Sequence, residues 1–239
     1  SDLRNFWSEK LGVAAEDLKD VPDGRGMTDL IRAKTMKQGG AGYVQPGSGS
    51  FPKMAEMNEF VLQCGALPTM TWLDGCSAGE EAIEELLEVA RSTGVVVFNI
   101  IPDRNYTPGT KDQKLTNLQK VVEICKDLNM PLLGGTEMNS PGQKFVDDFD
   151  SDELKPMHPY FLEGSRILHA HSTLQRLAGM GYLSPWSDDQ FASVAAKNEF
   201  YARFGEIFSP RGDEALQNDL TDSLGSREVI SLAERVMSA

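Results

Sequence analysis

Four short apolar runs in this 239-residue chain each break off into residues that can do chemistry. Tyr43 and Gln45 stand at the end of the first. Trp72 and Asp74 close "TMTWLDG". Asn99, Asp103, Arg104 and Asn105 punctuate "VVVFNIIPDRN". Glu137 and Asn139 end "LLGGTEMN". The carboxylates of Asp74, Asp103 and Glu137 can accept a proton, and Asp74 and Glu137 can hold a divalent cation. The Arg104 fork suits a phosphate or carboxylate. Asn99, Asn105, Asn139 and Trp72 would shape a pocket, with Tyr43 and Gln45 along its edge. Asp103 and Arg104 could instead pair with each other, and any of the amides could satisfy loop backbone.

These residues need a scaffold, and the pattern between them supplies one. The apolar runs predict strands near 41–45, 67–73, 95–101 and 131–136. Between them, "PKMAEMNEFVLQCGA", "SAGEEAIEELLEVARSTG" and "TKDQKLTNLQKVVEICKDLN" repeat apolar residues at spacings of three and four, the helical period. Ser77, with Glu80 three residues on, reads as a capping box, and Thr110 as a second N-cap. Gly65 and Gly94 sit where helices should stop. Alternation of this kind predicts βαβ crossovers and a parallel sheet. In such a sheet the carboxyl ends of the strands share one rim, where ligands bind. All four polar sets fall on that rim.

After Asp150 the pattern turns helical. "HPYFLEGSRILHAHSTLQRLAGMGY" and "DDQFASVAAKNEFYARFGEIF" each read as one helix, and "SREVISLAERVMSA" as another. The expected organisation is a βα-repeat region over 1–150 and a helical extension over 151–239 packing on it. Two further helices, "DLRNFWSEKLGVAAEDLKD" and "TDLIRAKTMKQGG", precede the first strand. The fold class is therefore α/β, a (β/α) barrel or half-barrel with a C-terminal helical extension.

Composition narrows the partners. Thirty-six acidic against 23 basic residues give a net charge of −13, which repels nucleic acid and anionic membranes alike. No apolar run approaches the roughly 20 residues of a membrane span. Three scattered cysteines, without a C-x-x-C, fit a reducing, cytoplasmic setting. "GSGS" at 47–50 lacks the lysine of a P-loop, so no nucleotide cofactor is expected. His169 and His171 form an H-x-H, but on a helix positions two apart diverge by about 200°, so the rings should not share one metal.

The strand ends "TWLDG", "NIIPDRN" and "GGTEMN" are similar in style to metal-dependent hydrolases of the PHP and amidohydrolase type. Four consecutive βα units over about 39–145 resemble the last four of a (β/α)₈ barrel. That resemblance implies a divalent metal at the rim, with Glu137 and Asp74 matching carboxylate ligands, and hydrolysis of a phosphoester or amide-like bond in a small polar or anionic metabolite. These families also carry an early strand H-x-H, which this chain lacks. The chain opens on Ser1, and the expectation is a piece of a longer protein whose preceding half completes the barrel, or else a homo-oligomer that covers the sheet edges. Two rival readings stand beside it. One is a metal-free isomerase, epimerase or aldolase-like barrel using a carboxylate base. The other is a non-catalytic assembly module that uses the aromatic-rich helices of 159–208.

Overall fold

The computed structural model describes residues 2–19, 21, 24–106, 111–138 and 145–238. The chain packs as two compact units, Ser1–Pro52 and Lys53–Ala239. The first holds α1 (Asp2–Leu11), a 3-10 turn (Asp17–Lys19) and α2 (Arg25–Thr35). The strand expected at 41–45 is absent. The Ala41 and Gly42 amides instead donate back to the Lys34 and Thr35 carbonyls, at 3.1 and 2.8 Å, and close the end of α2. Val44 is exposed, so the run has no apolar face to bury, and the glycines and proline around it disfavour a strand. Tyr43 donates its hydroxyl to Gln45 Oε1 at 3.1 Å within this unit, which lies outside the sheet-bearing one.

The second unit runs α3 (Met54–Gln63), β1 (Thr69–Trp72), α4 (Ala78–Glu81), α5 (Ile83–Ser92), β2 (Val97–Ile100), a 3-10 turn (Pro102–Tyr106), α6 (Lys111–Asp127) and β3 (Leu132–Gly134). It continues with α7 (His158–Ala178), α8 (Pro185–Gln190), α9 (Val194–Ile207), α10 (Asp213–Asp219) and α11 (Ser226–Ser238). The sheet is parallel, ordered β1-β2-β3, with Trp72 opposite Ile100 and Phe98 opposite Leu132. Among the described residues it has three strands and stays open. No described helix is long and apolar enough to cross a membrane.

The helices end as local chemistry demands. α3, α5, α6 and α7 each stop at a left-handed residue: Gly65, Gly94, Asn129 and Gly179. Each is followed by a reverse bond into the last turn, such as Val95 N–H to Ala90 O at 3.1 Å and Met130 N–H to Cys125 O at 2.8 Å. These closures satisfy carbonyls a helix end would orphan and turn the chain straight into β2 and β3. Two expected helices are split. Ala82 (ψ 49°) separates α4 from α5, and an extended Phe191 followed by the N-cap Ser193 separates α8 from α9.

Each face of the sheet buries its own core. Trp72, Phe98, Ile100 and Leu132 pack with Ile83 and Leu87 of α5 and Leu118, Val121 and Val122 of α6. Val97 and Leu133, of opposite parity, join a core built from α7 to α11. That core includes the aromatic residues of the extension: Trp186, Phe200, Tyr201, Phe204 and Phe208 are buried, and the Phe200 and Tyr201 rings meet edge-on at 5.1 Å.

The outer edge of β3 is covered. Phe98 N–H donates to Pro131 O at 2.9 Å and Gly135 N–H to Ile100 O at 2.7 Å. Strand alternation then turns the Leu132 amide and carbonyl away from β2. Gly164 of α7 lies against both; a Cβ there would collide with the Leu132 carbonyl. Only glycine lets the helix come this close to an edge that would otherwise expose unpaired backbone.

Candidate functional site at the carboxyl rim

The chain leaves each strand through a polar loop, and side chains tie the three loops together. After β1, Asp74 Oδ1 accepts from Cys76 N–H at 3.1 Å, an Asx turn that needs Gly75 at φ +71°. A Cβ on Gly75 would stand 2.8 Å from Asn117 Nδ2 and 3.0 Å from the Trp72 ring. Asn117, on α6, donates to the Asp74 and Gly75 carbonyls at 3.1 and 3.2 Å. Lys114, three residues earlier on the same helix face, meets Asp74 Oδ2 at 2.9 Å. Burial alone would raise the Asp74 carboxyl; Lys114 and the Cys76 amide outweigh it and hold the group below its ordinary value. Asp74 is thus a fixed anion at neutral pH.

Ser77 caps α4 by accepting from Glu80 N–H at 3.4 Å. Glu80 does not complete the expected box. Its Oε1 reaches Leu73 N–H at 2.7 Å and anchors the loop at the end of β1.

After β2 the chain turns through Pro102–Tyr106. Asn105 is fully buried and donates to the Leu73 and Ile101 carbonyls at 3.2 and 3.3 Å, stapling the ends of β1 and β2. Its Oδ1 has no partner among the described residues. Arg104 forms an ion pair with Glu137, its Nε and Nη2 both directed at Oε2, and so bridges the ends of β2 and β3. Both side chains remain partly open to solvent. Asn99 donates weakly to Thr71 Oγ1 at 3.4 Å, and its amide sits against Gly135 at the start of the β3 loop.

The structure therefore gathers Asp74, Asn99, Arg104, Asn105 and Glu137 on one rim. Asp103 lies in the 102–106 turn, with its side chain outside the described set, and Asn139 is outside the described residues, as is Thr110. Trp72 sits elsewhere: its ring is 1% exposed and packs on the α5–α6 face, opposite to Asn99. Lys114, Asn117 and Glu80 are site residues that the strand-end reading missed. The signal for the first two was their i, i+3 spacing on the polar side of α6.

No three His, Cys, Asp or Glu side chains converge on a metal-sized point among the described residues. Asp74, an expected ligand, pairs with Lys114, and Glu137, the other, with Arg104. His169 bonds the Phe208 carbonyl and His171 the Gly65 carbonyl, each at 3.1 Å, so their rings serve different neighbours. What the rim offers is two carboxylate–cation pairs set around a buried amide. Such pairs can exchange partners with an incoming anion. No protein-family model, curated protein or solved structure is significantly similar to this chain.

Proposed function

We propose that this chain carries the catalytic rim of a (β/α)-barrel or half-barrel enzyme that works on a small anionic metabolite without a resident metal. In this reading Arg104 binds the substrate's carboxylate or phosphate. Glu137, released from Arg104 by that exchange, accepts a proton from the substrate, as isomerases, epimerases and aldolase-like enzymes require. Asp74 and Lys114 hold the neighbouring loop, and Asn99 and Asn105 keep the three strand ends in register. The observation that carries the reading is the Arg104–Glu137 pair, which joins an anion receptor to a carboxylate at adjacent strand ends.

The test is proton exchange. The full chain is incubated in deuterated water with small aldose and ketose phosphates and 2-keto acids, and carbon-bound deuterium is followed by NMR. Exchange that Glu137→Gln abolishes supports the reading. Exchange that persists in that variant, or its absence across the panel, overturns it.

The metal-dependent hydrolase is the second reading, favoured by the two carboxylates, Asp74 and Glu137, at the ends of the outer strands. It requires a metal to displace Lys114 and Arg104. Phosphoester cleavage that depends on added Mn²⁺ or Zn²⁺ and vanishes in Asp74→Asn would favour it over the first.

A further inference from the structure

The two edges of the sheet differ. α7 lies along the outer edge of β3, but β1 has no such cover among the described residues, and Thr69 and Thr71 are exposed. The Pro68 carbonyl accepts from Val97 N–H at 3.3 Å. Alternation then turns the amide and carbonyl of Met70 toward β2, and those of Thr69 and Thr71 outward. Among the described residues no group bonds these four outward backbone groups. The edge is closed on either side of them. Glu80 Oε1 takes the Leu73 N–H at 2.7 Å, and the Thr69 hydroxyl donates to the Leu67 carbonyl at 2.9 Å. The open stretch is residues 69–71, centred on Met70.

That stretch is complementary to itself. Laid antiparallel on a second copy about a two-fold axis at Met70, Thr69 of each chain faces Thr71 of the other. Both are hydrogen-bonding positions, so four N–H···O bonds form and none of the open groups is left over. A longer strand gains no further bonds from this edge. Charge or proline at the centre of an edge would block such pairing, and "TMT" has neither. The helix layer beside the edge fits the same partner. Lys120 of α6 pairs with Glu84 at 3.1 Å, which marks the flank of α5 that faces α6. Leu86 and Val89 lie about 200° and 140° round the helix from Glu84, on the flank toward β1. α3 is tied to the last turn of α5, Asn58 donating to the Thr93 carbonyl at 2.8 Å, and Val89, one turn earlier, is left 55% exposed. Pairing two β1 strands about 4.8 Å apart sets the two α5 helices, each above its own β1–β2 pair, about 10 Å apart. Helices pack at that distance. We propose that the chain forms a two-fold dimer through its β1 edges, a single six-stranded sheet with α5 packed on α5 across the axis.

The test is sedimentation velocity of the full chain over a concentration series, with amide hydrogen exchange followed by NMR at both ends of it. The parent should pass from one to two chain masses, and the Thr69 and Thr71 amides should exchange at least tenfold more slowly in the dimer. Thr71→Pro removes an outward N–H and no bond to β2, so it should fold and stay monomeric. Val89→Glu, on exposed helix surface, sets like charges across the axis and should weaken the dimer at least tenfold without touching the strand. A parent that stays monomeric throughout leaves β1 to some other strand and overturns the proposal. A dimer whose Thr69 and Thr71 amides exchange as fast as in the monomer, or one that neither substitution weakens, overturns it as well.

Discussion

Gly164→Ala puts the packing of α7 on the sheet edge to a quantitative test. Gly164 lies inside a 21-residue helix. Propensity alone predicts that alanine there stabilises the chain by about 1 kcal/mol. The structure predicts the opposite. The new Cβ would fall on the Leu132 carbonyl, with the carbonyl carbon at 2.6 Å and the amide nitrogen at 3.0 Å. These are backbone atoms of a strand held in the sheet by its other edge, so no rotamer change clears them. The carbonyl oxygen would stand only 1.8 Å away, so α7 must lift, and Phe161, Ile167, Ala170 and Leu174, all buried along it, move with it. Overpacking of this kind costs about 3 kcal/mol. Net of propensity, the variant should be about 2 kcal/mol less stable, which lowers Tm by roughly 4–8 °C in a chain of this size. Gly79→Ala in α4, where a Cβ meets nothing within 4 Å, is the control and should be neutral or slightly stabilising. Thermal melts followed by circular dichroism decide the matter. A Gly164→Ala protein that melts at or above the parent temperature would refute the close approach of α7 to β3.

Further consequences concern titration and access. His171 accepts from Tyr182 N–H through Nδ1 at 3.0 Å, so Nε2 carries the proton given to Gly65 O. Burial lowers its pKa, against the opposing pull of that carbonyl. The folded state therefore binds fewer protons than the unfolded state, and stability should fall as pH drops below about 6.5; melts of His171→Gln should lack that step. Asp74, also held below its ordinary value, contributes stability that is present above the ordinary carboxylate pKa and lost as pH falls through its folded one. Lys114→Met should cost about 1–2 kcal/mol at pH 7 and should move this acid transition to higher pH. The Cys125 thiol is buried and pushed up to about 12, whereas Cys64 and Cys76 are exposed. A thiol reagent should label those two in the native chain and reach Cys125 only on unfolding.

Much of the βα core was legible in the sequence, because β1, β2, β3 and the helices between them follow strong periodicity and end on Gly65 and Gly94. The run at 41–45 misled because a few apolar residues among glycines look like a strand when hydrogen-bond partners are ignored. Its amides were already claimed by α2. The breaks at Ala82 and Phe191–Ser193 are tertiary adjustments inside patterns that stay helical in apolar spacing. The rim was legible as a set of strand ends, but not its pairing. Glu137 and Arg104 are 33 positions apart, and only the parallel register of β2 and β3 brings them together. Trp72 shows the cost of treating a strand end as one patch. Side chains alternate with period two, so Trp72 follows Ile100 to the face opposite Asn99.

The most direct test of the rim as an anion-binding catalytic site is a calorimetric titration of the full chain with inorganic phosphate, repeated for Arg104→Ala and Glu137→Gln. If Arg104 is the receptor and Glu137 the group an anion displaces, Arg104→Ala should weaken binding about tenfold or more. Glu137→Gln, which removes the competing carboxylate, should tighten it. Equal binding by the parent and Arg104→Ala, or binding lost in Glu137→Gln, would contradict the account.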